Sequence, residues 1–124
     1  MSVFLIADDS QGKAMMLEAV VKHSQKFPTI LIAKTTQDAK ALIDSEQIAA
    51  AFIDYEMPTE NGPAVIAYLK EKQPNSRIAL TTSSDSADYE KEAMAAGAEA
   101  FVCTTRDEKY VLETLRNLLI EWAG

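Results

Sequence analysis

The feature that most constrains the fold is a regular alternation of short apolar runs with longer amphipathic segments. Five short runs are apolar nearly throughout and rich in branched side chains: VFLIA (3–7), TILIA (29–33), AAAFI (49–53), RIALT (77–81) and AFVC (100–103). Branched residues favour strands, and strands without an alternating polar side are typical of parallel sheets covered on both faces. The pattern therefore predicts five strands of one parallel sheet.

Each run is followed by a segment with apolar residues at helical spacing. We predict that the five helices start at Asp9 or Ser10, Thr36, Pro63, Ser84 to Ser86, and Asp107. One helix end is also clear, because Gly97 is typical of a helix C-terminus. Because parallel crossovers are right-handed, β-α units repeated five times predict an α/β fold. We expect a doubly wound five-stranded parallel sheet of flavodoxin-like order 2-1-3-4-5, with helices on both faces and one domain over 1–124.

Composition narrows the class of protein. A single cysteine among 124 residues cannot form an internal disulfide, which favours a reducing, cytoplasmic compartment. The apolar runs are far shorter than the roughly 20 residues of a membrane span, and the start MSVFLIADD does not read as a secretory signal. With a net charge of −7 and scattered basic residues, the chain is not expected to bind nucleic acid or a membrane.

Acidic residues follow two of the predicted strands. Asp8 and Asp9 end the first strand and Asp54 ends the third. In this topology these strands are neighbours, and ligands bind beyond their carboxyl ends. Clustered carboxylates repel one another unless a cation intervenes, and oxygen ligands suit Mg²⁺. We therefore predict a magnesium site, whereas the alternative is that the three residues only cap helices or form turns.

Several motifs together resemble the response-regulator receiver domain of two-component signalling. They are ADDS (7–10), FIDYEMPTENG (52–62), LTTS (80–83) and AGAEAF (96–101), in the β-α order described above. The resemblance covers essentially the whole chain. It implies a cytoplasmic signalling phosphoprotein that accepts a phosphoryl group from a histidine kinase or a phosphotransfer protein. Such a domain is not an enzyme beyond self-catalysed phosphotransfer and dephosphorylation.

The resemblance assigns the site residues by position. Asp54 matches the phosphoacceptor, and Asp8 and Asp9 match the acid pair that holds Mg²⁺, with Asp9 the more direct ligand. Glu56 matches the position whose backbone carbonyl completes the metal site. The expected cofactor is therefore Mg²⁺.

The same resemblance implies a conformational switch. Thr82 matches the hydroxyl that binds the phosphoryl group, with Thr81 as the alternative if the register slips by one, and Phe101 matches the aromatic switch residue. The expected output surface is 85–122, which would contact an unidentified output partner. For the assembly of the chain, a homodimer is an alternative to a monomer.

One position departs from the family pattern. Thr104 stands where the family carries a lysine at the end of the fifth strand, and a threonine hydroxyl brings no charge. Arg106 and Lys13 are the basic residues nearest in sequence that could compensate. If neither does, the alternative is a pseudo-receiver, a protein-interaction module without phosphate control.

Two other classes fit less well. Aspartate-nucleophile phosphohydrolases carry a second aspartate two residues after the nucleophile, in a D-x-D pattern. The segment DYE at 54–56 matches this pattern only loosely. A flavodoxin has a phosphate-binding loop rich in Ser, Thr and Gly after the first strand. This chain instead has the segment ADDSQGK (7–13) there, whose acids would repel a phosphate in the absence of a metal.

Overall fold

Strands and helices alternate along the whole described chain. The computed structural model describes residues 2–124, and Met1, which the predicted domain 1–124 includes, lies outside the described residues. In chain order the elements are β1 (Ser2–Ala7), α1 (Gln11–Ser24), β2 (Ile30–Ala33), α2 (Thr36–Ser45), β3 (Gln47–Ile53), α3 (Gly62–Lys72), β4 (Arg77–Thr82), α4 (Ala87–Ala96), β5 (Ala100–Cys103) and α5 (Glu108–Ala123). All strand pairs are parallel and their order is β2-β1-β3-β4-β5. The predicted fold class and strand order are confirmed.

The sheet is buried on both faces because its strands place apolar side chains on each side in turn. In β1, Val3 and Leu5 pack with α2, α3 and α4, whereas Phe4 and Ile6 pack with α1 and α5. All four side chains are at most 3% exposed. This explains why the strand sequences are apolar throughout instead of alternating.

Aromatic rings fill the layer between the sheet and helices α1 and α5. Phe4 is fully buried, and its ring centroid lies 5.1 Å from that of Phe27, 4.8 Å from Phe52 and 6.3 Å from Trp122. Trp122 thereby packs the end of α5 against two interior strands of the sheet. These strands, β1 and β3, are the ones that carry the acids, so the site is built on the packed core.

Most predicted helix boundaries are confirmed. Ser10, Ser86 and Asp107 are N-caps whose side chains accept a hydrogen bond from the backbone three residues on, and Pro63 lies in the first turn of α3. Gly97 ends α4 with φ of 122°, a conformation that favours glycine.

The predicted cap at Thr36 is wrong by one residue. Thr35 is the N-cap of α2, because its extended backbone lets its hydroxyl accept from the backbone N–H of Asp38 at 3.0 Å. Thr36 is the first helical residue and is 1% exposed. Its hydroxyl donates to the carbonyl of Pro58 at 3.1 Å and so ties α2 to the loop after β3.

The helices are short and amphipathic. The longest, α5, has 16 residues and buries Leu115 and Leu119 while Tyr110 and Ile120 are exposed. Within the described residues, none of the helices is both long enough and apolar enough to pass through a membrane.

Candidate functional site

Backbone hydrogen bonds place the ends of β1 and β3 side by side. The N–H of Asp54 donates to the carbonyl of Ala7 at 2.8 Å, and the N–H of Asp8 donates to that of Ala33 at 2.9 Å. Sheet pairing therefore continues one residue beyond each strand, into the acids themselves. As predicted from the topology, residues far apart in sequence lie at one edge of the sheet.

The three acids form one cluster. Asp8, Asp9 and Asp54 each offer a carboxylate oxygen, and these oxygens lie within 4.8 Å of one another. Asp8 is 1% exposed and Asp54 is 6% exposed, whereas Asp9 is exposed. Burial, which disfavours the charged form, is the main reason that the pKa values of Asp8 and Asp54 are raised above the ordinary value of 3.8.

A lysine from the first turn of α1 reaches into this cluster. The ammonium group of Lys13 donates to Asp54 Oδ1 at 2.8 Å and to the carbonyl of Thr81 at 3.0 Å. It also lies 3.1 Å from Asp8 Oδ2, in an ion pair that lacks hydrogen-bond geometry. Its side chain is only 11% exposed. The four charged groups carry a formal net charge of −2, from three carboxylates and one ammonium.

The donor set fits a hard divalent cation. Asp8 Oδ1 accepts from the backbone N–H of Ser10 at 2.9 Å, but Oδ2 is buried and has no hydrogen-bond partner among the described residues. Its contact with the Lys13 ammonium is an ion pair without hydrogen-bond geometry, so the oxygen can still coordinate a divalent cation, which would stabilise its buried negative charge. Asp8, Asp9 and Asp54 are the residues that would hold the ion. The predicted ligand role of the Glu56 backbone carbonyl stays a prediction.

The cluster opens into a cavity of about 460 Å³, large enough for a small anion and its hydration water. Its lining combines acidic, cationic and hydroxyl side chains with one methionine: Asp9, Ser10, Lys13, Met16, Asp54, Glu56, Ser83 and Thr104. A concave site with both carboxylates and an ammonium can bind a cation and an anion together.

Comparison with known families decides which of the candidate classes applies. The family model described as response regulator receiver domain matches residues 4–119. The chain belongs to this family. It is therefore a receiver domain of a two-component system, a class of signalling modules that are generally not enzymes and that interact with histidine kinases and output domains.

Individual relatives are distant in sequence and close in structure. The photosynthetic apparatus regulatory protein RegA of Rhodobacter capsulatus is 27% identical over 114 residues, 92% of this chain. A CheY-like receiver domain protein from Methanospirillum hungatei JF-1 matches with a TM-score of 0.82 at 20% identity, over 98% of this chain and 96% of that one. A Burkholderia pseudomallei response regulator, solved with a phosphorylated aspartic acid, calcium ion and citrate, matches with 0.79 at 22% identity, over 98% and 70%.

At such identities the two solved structures show the fold alone. The chain spans 55% and 60% of the lengths of the curated relatives that it matches.

The two candidate switch threonines of the receiver domain point to opposite faces of β4. Thr82 is two residues beyond Leu80, which packs in the same core layer as the half-buried Phe101. The Thr82 hydroxyl accepts from the backbone N–H of Ser84 at 3.2 Å. Thr81 is fully buried, and its hydroxyl has no hydrogen-bond partner among the described residues. This placement supports the pairing of Thr82 with Phe101, whose switch roles stay predictions.

Thr104 lies at the site, but its hydroxyl bonds to a backbone carbonyl and not to Asp54. It lines the cavity beside Asp54, and its hydroxyl donates to the carbonyl of Thr82 at 3.3 Å. Arg106, one of the two basic residues considered as compensation, instead pairs with Asp85 at 2.7 Å, and both side chains are more than half exposed. Of the two alternatives, Lys13 is the one that contacts the acids.

Sequence reasoning did not find an aromatic pair at the rim of the site. Tyr55, next to Asp54 in sequence, stacks on Tyr89 of α4 with ring centroids 3.5 Å apart and planes within 6°. The Tyr55 hydroxyl donates to Glu92, and the Tyr89 hydroxyl donates to Glu56 at 2.9 Å. The bond to Glu92 is the main reason that the pKa of Tyr55 is raised to about 12. The loop that follows Asp54 is thus packed and hydrogen-bonded against α4.

Proposed function

We propose that this receiver domain accepts a phosphoryl group on Asp54 with Mg²⁺ as cofactor, and that the modification switches a partner-binding surface at 85–122. The observation that carries the proposal is the acid cluster, in which three carboxylate oxygens lie within 4.8 Å of one another. Asp8 in this cluster also has a buried oxygen without a hydrogen-bond partner in the described part of the chain. Structural caps or turn residues would not need to converge in this way.

The acceptor chemistry follows from the contacts of Asp54. Its Oδ1 accepts hydrogen bonds from the Lys13 ammonium and from the Tyr55 backbone N–H, both at 2.8 Å, which hold the carboxylate in one orientation. A carboxylate oxygen forms the new bond to phosphorus while the donor departs with the electron pair of the bond that breaks. Mg²⁺ held by Asp8, Asp9 and Asp54 would supply positive charge that offsets the negative charge of the incoming phosphoryl group.

The switch is proposed to run from Asp54 toward α4 and β5. A phosphoryl group adds about two negative charges and three acceptor oxygens. The Thr82 hydroxyl, which keeps its own proton available while it accepts from Ser84, turns to donate to one of these oxygens. Phe101 then turns inward beside it, and the stacked Tyr55 and Tyr89 transmit the loop movement to α4.

The proposed partners are a histidine kinase or a phosphotransfer protein as donor and an output partner on the 85–122 surface. The pseudo-receiver alternative depended on the loss of the lysine at Thr104. It is not favoured, because Lys13 provides a cation at the acceptor.

The test is phosphorylation by a small phosphodonor, followed by intact-protein mass spectrometry. The parent should gain the mass of one phosphoryl group with Mg²⁺ and not with a chelator, and Asp54→Asn should gain none. Asp38→Asn is the matched control, since Asp38 is an exposed acid on α2 that lies outside the cluster. A parent that stays unmodified under these conditions would favour the pseudo-receiver.

A second experiment tests the output surface. Beryllofluoride with Mg²⁺ should shift amide NMR resonances around Asp54 and across 85–122 in the parent but not in Asp54→Asn. Shifts confined to the site, with none on α4, β5 or α5, would contradict a switch at this surface.

A further inference from the structure

Lys13 is held in place by a chain of hydrogen bonds that begins at Asp8. Asp8 Oδ1 accepts from the backbone N–H of Ser10, and the Ser10 hydroxyl accepts from the backbone N–H of Lys13 at 3.3 Å as the N-cap of α1. The lysine side chain then returns to the acids and ends 2.8 Å from Asp54 Oδ1. Both ends of the residue are therefore fixed relative to the carboxylates.

The position of this lysine is unfavourable for the helix itself. A positive charge in the first turn opposes the helix macrodipole, and the first turn of α1 contains no acidic residue. Burial of the ammonium to 11% exposure also removes most of its hydration. Within residues 2–124, the groups that offset these costs are the two buried carboxylates and the Thr81 carbonyl. The position of the side chain is therefore set by the acid cluster and not by α1.

The segment after β5 contributes no charge to the acceptor. Thr104 donates its hydroxyl to a backbone carbonyl, and the next basic residue, Arg106, is paired with Asp85 at the surface. Lys13 is the basic side chain that the described residues place in contact with Asp54.

We propose that Lys13, delivered from the first turn of α1, positions the Asp54 carboxylate and then binds a phosphoryl oxygen once Asp54 is modified. This inference rests on the proposed function. In the unmodified protein the ammonium orients Asp54 by its bond to Oδ1. After transfer the same ammonium, which keeps its proton throughout, stabilises the added negative charge. In this receiver domain the cation at Asp54 is therefore supplied by Lys13 of α1, near the start of the chain, and not by position 104 after β5.

Removal of the Lys13 charge should change Mg²⁺ affinity and the phosphorylation rate in opposite directions. Lys13→Met keeps the apolar stem and removes the charge. Mg²⁺ should bind about tenfold more tightly, because a positive charge no longer repels the ion. Phosphorylation should slow by about ten- to a hundredfold, because a hydrogen-bond donor to the phosphoryl group is lost. Calorimetric Mg²⁺ titration and mass spectrometry measure the two effects.

Lys22→Met is the matched control, because Lys22 lies on the same helix but is 69% exposed and pairs only with Glu18 at 3.6 Å. The double variant Lys13→Met/Thr104→Lys returns a cation from β5, and it should regain most of the phosphorylation rate. In the parent, the ¹⁵Nζ resonance of Lys13 should shift when Mg²⁺ and beryllofluoride are added, a readout that does not depend on how any variant folds.

The outcomes separate this inference from the proposed function. If the parent is phosphorylated but Lys13→Met matches Lys22→Met in rate and Mg²⁺ affinity, only the role of Lys13 is wrong. An unmoved Lys13 ¹⁵Nζ resonance in the beryllofluoride complex would also overturn it. If the parent takes up no phosphoryl group, both proposals fall.

Discussion

A close backbone approach at the site makes Gly62 an informative position to change. A Cβ built on Gly62 would lie 2.0 Å from the carbonyl oxygen of Asp54, 2.9 Å from its carbonyl carbon and 3.0 Å from Tyr55 Cα. Ordinary contact begins at 3.4 Å, so Gly62→Ala must push the two backbones apart by about 1.4 Å. The effect is purely steric, since the φ of Gly62 is not in the left-handed region.

The magnitude follows from three contributions. Overpacking against backbone costs about 1–3 kcal/mol. The hydrogen bond from the Gly62 N–H to the Tyr55 carbonyl, 2.7 Å long, would weaken at a cost of about 1 kcal/mol. The better helix propensity of alanine returns at most about 1 kcal/mol. We therefore expect Gly62→Ala to lower the free energy of unfolding by about 1–4 kcal/mol. Because Asp54 moves with its backbone, the variant should also weaken Mg²⁺ binding.

Gly12→Ala is the control. Gly12 also lies at the start of a helix, but a Cβ there would meet nothing within 4 Å. This variant should be more stable than the parent by about 0.5–1 kcal/mol with unchanged Mg²⁺ affinity. Urea unfolding and Mg²⁺ calorimetry on both variants give the answer. Equal stability and equal Mg²⁺ affinity for the two variants would refute the reasoning from close approach.

Three further predictions concern other parts of the molecule. Phe4→Ala should lower the free energy of unfolding by about 3–5 kcal/mol and shift Trp122 fluorescence to the red, because it empties the centre of the aromatic layer; an unshifted emission would contradict this. The hydrogen bond from Arg77 is the main reason that the pKa of Glu99 lies below its ordinary value of 4.5, so the stabilisation is fully present above that value and is lost as the pH falls through the lowered pKa. Arg77→Met should therefore lose less unfolding free energy than the parent in an acid titration below 4.5, and identical titrations would count against the pair. Thr82→Ala should cost about 1 kcal/mol in urea unfolding through the lost bond from Ser84, while Mg²⁺ affinity stays at the parent value; a large change in affinity would place the hydroxyl in the metal site.

Much of the architecture could be predicted from the sequence because it depends on periodic burial. Strands with apolar residues on both sides require helices on both sides, and right-handed crossovers then leave few topologies. The meeting of Asp8 and Asp54 followed from the same reasoning, since the carboxyl ends of neighbouring parallel strands share an edge. The cap of α2 was misplaced by one residue because Thr35 and Thr36 have equivalent side chains, and only the backbone angles decide between them.

The details of the site were less predictable because they depend on long side chains and loop geometry. Lys13 was one of two basic residues that could compensate for the missing lysine, because sequence spacing does not reveal where a long, flexible side chain ends. Its position in a first turn without acids was a usable signal, because a lysine there opposes the helix dipole. The stack of Tyr55 on Tyr89 joins the loop after β3 to helix α4, and no local sequence pattern encodes the relative position of these two segments.

The central claim is that Asp8, Asp9 and Asp54 share one divalent cation beside the carboxylate that accepts the phosphoryl group. A crystal structure of the parent grown with Mn²⁺ and beryllofluoride tests it directly. We predict an anomalous peak bonded to carboxylate oxygens of this cluster and beryllium bonded to an oxygen of Asp54. A manganese peak elsewhere with an unmodified Asp54 would contradict the account.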